Sequence, residues 1–202
     1  INNDGNILND GTILNNDGDI ANHGTIENQG AFTNDGYIDN YNIINNFSDI
    51  INNGSIYNDG TIENYASIIN NDLLENTGTL INDDIIINYG NIINYNTLNN
   101  FGTLNNEDTI INDGTIYNED TILNDGTINN FGTLINDDII GTIDNLNTIN
   151  NDGTLNNEGI ITNDGTLNIN IDGTINNEGV IENFSTLNNF GTIINNNIII
   201  IN

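Results

Sequence analysis

The chain of 202 residues contains no lysine, arginine, proline, cysteine, methionine or tryptophan. Without cysteine there is no disulfide, so backbone hydrogen bonds and packing must hold the chain together in any redox compartment. Without basic residues, 29 carboxylates and a single histidine give a formal net charge of -29. Nucleic acid and anionic bilayers would be repelled from every face, and both are excluded as direct partners. No stretch approaches the roughly 20 apolar residues of a membrane-spanning helix, so membrane insertion is not expected. The chain opens at Ile1 with no basic leader segment, and it is read as a mature or excised piece.

What remains is dominated by Ile, Asn, Thr, Asp and Gly. The first and third favour extended backbone and the others favour turns, so short strands joined by tight corners are expected. Glycine recurs at positions 5, 11, 18, 24, 30 and 36, and onward at intervals that are almost all six or a multiple of six. This self-similarity is the main fold signal. The register slips near position 17, across Asp138, Ile139 and Ile140, and across 168–172, where bulges or small loops are expected in one continuous solenoid over residues 1–202.

Set out in sixes, the unit is Gly-Thr-Ile-x-Asn-x. Position three is Ile, Leu or Phe throughout, from Ile7 and Phe32 to Ile193 and Ile199. Because side chains alternate across a strand, positions two to four form a strand with the third residue inward. Position five, as in Asn22, Asn64 and Asn112, is almost always Asn. A turn alone would accept Asp, Gly or Ser, whereas a stacked amide needs both a donor and an acceptor, so an interior Asn ladder is favoured. Glycine at position one is expected to supply a positive φ at the corner, with Asn42, Asp72, Asp84 and Asn96 as tolerant substitutes.

The fold class is therefore an all-β, single-stranded β-solenoid with an Ile core and Asn ladders. Its coil holds either 12 or 18 residues. Numbered from Gly5, the non-glycine first positions fall mostly on even units, which favours 12 residues per coil over 18. In that register Asp113, Asp125, Asp137, Asp152, Asp164 and Glu178 make one acidic column, with Tyr65, Tyr89 and Phe101 on the same edge. Oxygen-rich columns of this kind suit Ca²⁺, the one cofactor the composition suggests, although neither an EF-hand loop nor a calcium β-roll repeat is present.

No catalytic group stands apart from its surroundings, and no cation is present to hold an anionic substrate, so an enzyme is not expected. His23 lies at an outward sixth position. Paired acids such as Asp83 with Asp84, Glu119 with Asp120, and Asp137 with Asp138 recur at corners, as solvated turn carboxylates do. Outward aromatics at position six, including Tyr41, Phe47, Tyr65, Phe101, Phe131, Phe184 and Phe190, are read first as corner packing. They also open an alternative role as a surface glycan- or cation-binding module. Ice binding is a minor alternative: Thr recurs in one column, but the fourth position beside it is uneven.

The terminal unit carries Ile198, Ile199, Ile200 and Ile201 in a row, a candidate joint for head-to-tail assembly with a second copy or for continuation into a longer array. The hexads Gly-Thr-Ile-Glu-Asn at 60–64, Gly-Thr-Leu-Asn-Asn at 102–106 and Gly-Thr-Ile-Asn-Asn at 173–177 resemble the repeats of large surface adhesins of the filamentous-haemagglutinin type. The resemblance implies a secreted or cell-surface fibre that binds surfaces or its own copies. Together these readings lead to an extracellular structural fibre or adhesin stalk.

Overall fold

The computed structural model describes residues 1–137 and 141–201. It contains 33 short strands, from Asn2–Asn3 to Ile198–Ile201, and no helix among the described residues. Each strand pairs in parallel with the strand three places later, which produces three 11-stranded sheets. The chain is thus a three-sided β-solenoid of about 11 coils, about 50 Å long at about 4.8 Å per coil. Face 1 begins with Asn2–Asn3 and Asp19–Asn22, face 2 with Asn6–Asn9 and Thr25–Asn28, and face 3 with Ile13–Asn15 and Phe32–Asn34.

The coil therefore holds 18 residues rather than the favoured 12, as the 18-residue separation of stacked Asn22 and Asn40 shows. Parity misled because non-glycine first positions occur at all three edges: Asn42 and Asn96 follow face 1, Asp84 and Asp120 follow face 2, and Asp72, Asp108 and Asn147 follow face 3. Longer offsets mark the slips. Asn3 stacks on Asn22 across 19 residues, Asn124 on Asn145 across 21, and Asn157 on Asn177 across 20. The slip expected at Asp138 to Ile140 lies outside the described residues.

The expected alternation is visible in nearly every strand. The third residue points inward, and a column of Ile and Leu, with Phe32, fills the interior from Ile20 to Ile181. The Asn at position five is buried with it, almost completely from Asn22 to Asn177. Three apolar columns meeting along one axis give each isoleucine neighbours from both other faces, which is how a unit too small to be stable alone acquires a continuous core.

The corners do not work as expected. No described glycine has a positive φ, and among the described residues only Asp17 does, at 52°. Glycine is required for a different reason, close approach between coils: a Cβ on Gly24 would collide with the carbonyl of Gly5, and one on Gly132 with that of Gly114. On the edges after faces 1 and 3, side chains at position one away from the two ends of the rod sit singly between glycines, as Asn42 does between Gly24 and Gly60. Asn42 and Asn96 also donate to the carbonyls of His23 and Thr77 in the preceding coil, at 3.2 and 3.1 Å. The edge after face 2 departs from this rule, with Ser48, Ala66 and Asp84 on three successive coils.

Candidate functional site

Inside the solenoid the position-five amides form three ladders. On face 1, Asn94 accepts from Asn76 at 2.8 Å and donates to Asn112 at 2.8 Å. The same Nδ2 donates to the carbonyls of Asn96 at 3.0 Å and Thr115 at 2.9 Å. Only an NH₂ group can meet two carbonyl oxygens in this way, so the orientation of the amide is fixed. Every interior rung runs in one direction, from Nδ2 of the earlier coil to Oδ1 of the later one.

The ladders differ between faces. On face 2, from Asn28 to Asn118, the bond to the carbonyl in the following coil is missing, and the rungs from Asn64, Asn100 and Asn118 stretch to 3.1, 3.1 and 3.2 Å. One rung is not made: Nδ2 of Asn82 and Oδ1 of Asn100 are buried without a hydrogen-bond partner. The gap lies directly after the three successive side chains Ser48, Ala66 and Asp84 on the edge that follows face 2. The third bond returns at Asn136, Asn157 and Asn177. On face 1 the ladder ends at Asn151, because the next position is occupied by the buried Ile169.

Outside, the 18-residue coil redistributes the expected acidic column over three edges. Asp113 and Asp152 follow face 1, Asp137 and Glu178 follow face 2, and Asp125 and Asp164 follow face 3. The uninterrupted acidic run is instead Glu119, Asp137, Glu158 and Glu178, on four successive coils after face 2. Among the described residues no group of three or more acidic or histidine side chains is arranged to hold a metal ion. Tyr117 donates to Asp137, and this hydrogen bond, with smaller effects of burial and nearby carboxylates, pushes its pKa up to about 12. Tyr65, donating to Glu63 at 2.6 Å, is pushed up to about 12 for the same reason.

The aromatics are likewise divided. Phe47 stacks on Tyr65 with ring centres 4.8 Å apart, and His23 stacks on Tyr41 at 4.7 Å while lying 3.8 Å from Asp4. Tyr65 and Phe101 share the edge after face 2, whereas Tyr89 follows face 3. Face 2 carries an outward Thr column over eight coils, from Thr61 to Thr192, beside a fourth position that varies through Glu63, Ile81, Asn99 and Tyr117. Of the terminal isoleucines, Ile199 packs against the core, while Ile198, Ile200 and Ile201 are exposed.

One depression interrupts the outer surface of face 2. It holds about 360 Å³ and is lined by Ile135, Asn156, Glu158, Asn176, Glu178 and Ile194, among others. Single-sequence reasoning passed over it, because a run of two small fourth-position residues between larger ones becomes a concavity only when units 18 to 21 residues apart are stacked. Comparison with family models, curated proteins and solved structures returns no match to this chain.

Proposed function

We propose that the chain is a structural rod, serving as an extracellular fibre or adhesin stalk, either self-assembling head to tail or forming part of a longer repeat array. The observation that carries this reading is the interior: ladders of buried amides and columns of isoleucine run in register from coil to coil, so rigidity is distributed along the molecule. Repetition of one cross-section supplies length and stiffness, and any further coil with the same cross-section extends it. The -29 charge keeps rods apart laterally and soluble in the extracellular space to which we assign them.

Electron microscopy of the purified chain at moderate salt tests the proposal. Straight rods about 50 Å long, or multiples of that length joined end to end, with an axial repeat of about 4.8 Å, are expected. Flexible or globular particles would refute it.

A further inference from the structure

We propose that the saddle on face 2 between Ile135 and Ile194 is a docking site for a lysine or arginine side chain of a basic partner polypeptide. This goes beyond the rod reading and does not depend on it. Four fourth-position residues stack in paired register here, Ile135 on Asn156, Asn156 on Asn176, and Asn176 on Ile194. Two asparagines between two isoleucines leave a trough two coils long, about 10 Å along the axis.

Each part of the lining suits a long cationic side chain. Asn176 donates to Oδ1 of Asn156 at 2.8 Å, which holds the floor in place and leaves the Asn176 carbonyl oxygen open to a donor. Glu158 and Glu178, two residues beyond these asparagines and of the same outward parity, border the trough with carboxylates on successive coils. The chain has no lysine or arginine to neutralise them. The polar lining is thus rich in acceptors, the complement of an ammonium with three N–H groups or a guanidinium with five. Ile194, 49% exposed, and Ile135 close the two ends with apolar surface on which a methylene stem can lie. A bare metal ion would leave the isoleucines unused, and a neutral sugar would crowd both carboxylates without compensating their charge.

The test uses the full chain, isotopically labelled and followed by NMR, with an alanine-based peptide containing one central arginine and the same peptide with glutamine in its place. Shifts centred on Asn156, Asn176 and Ile194 are expected with the arginine peptide only. Because diffuse attraction to any acidic rod is the competing explanation, the decisive variant is Asn156→Leu with Asn176→Leu, which fills the trough at unchanged charge and should weaken binding about tenfold. Glu158→Gln with Glu178→Gln should weaken it at least as much, whereas Asp125→Asn with Asp164→Asn removes the same charge from another edge and should change it less than about twofold. Circular dichroism checks that each variant keeps its strands. Equal losses from the two charge-removing pairs, or undiminished binding by the filled variant, would overturn the proposal.

Discussion

Removing one interior amide separates the contribution of the ladder from that of the apolar columns. Asn94→Ala deletes an NH₂ group whose two N–H bonds are shared among three acceptors, at 2.8, 3.0 and 2.9 Å, and leaves Oδ1 of Asn112 buried without its donor. A neutral hydrogen bond contributes about 1 kcal/mol net, and a buried orphan costs about 1–3 kcal/mol, so with partial relaxation the variant should lose about 3–4 kcal/mol. Asn82→Ala provides the comparison at equal change in volume. Asn82 accepts one 3.1 Å bond from Asn64, and its Nδ2 is already unsatisfied, so removal also relieves an existing penalty. Its cost should be lower by about 2 kcal/mol, a roughly thirtyfold difference in equilibrium constant. Urea titration at fixed protein concentration gives the comparison, supplemented by amide hydrogen exchange because a linear repeat need not unfold in two states. Equal losses in the two variants would refute the reasoning and assign stability to the isoleucine columns alone.

Three further outcomes follow. Gly60→Ala should destabilise by about 1 kcal/mol or more even without a positive φ, because its Cβ meets the carbonyl of Asn42 and would place side chains at position one on two successive coils; unchanged urea resistance would show that the coils separate freely. Tyr65 and Tyr117 hold their protons up to about pH 12, against 10.0 for an ordinary phenol, so folded chains retain protons that unfolded chains have shed. The stability they contribute is therefore complete below pH 10 and lost as the pH rises through about 12. Absorbance titration should show a late-ionising pair, Glu63→Gln should return Tyr65 toward the ordinary value, and ionisation of all tyrosines together would contradict the hydrogen bonds. Finally, raising ionic strength from about 0.01 to 1 M shortens the screening length from about 30 to 3 Å and should raise the urea midpoint of a chain carrying -29; a flat response would mean that self-repulsion is negligible.

The hexad, the inward isoleucine and the buried asparagine were legible in the sequence because each follows from alternation within one short strand. Coil size was not, since 12 and 18 are both multiples of six and parity at position one reflects tolerance at all three edges. A better signal lay at position two, where threonine recurs on every third unit from Thr61 to Thr192. The role of glycine was misjudged because the constraint acts between coils and no single turn displays it. The gap between Asn82 and Asn100 and the trough beside Glu158 belong to the same class, since both arise from what is stacked and neither has a local motif.

The uniform orientation of the interior amides makes the solenoid a vector. Wherever all three ladders are present, one side of a cut presents carboxamide nitrogens along the core and the other presents oxygens, so the two sides differ chemically even where the residue types are identical. A coil approaching in the wrong sense would oppose oxygen to oxygen or NH₂ to NH₂ at all three ladders. Direction is thereby written into the cross-section, and a rod extended by such coils points one way along its whole length.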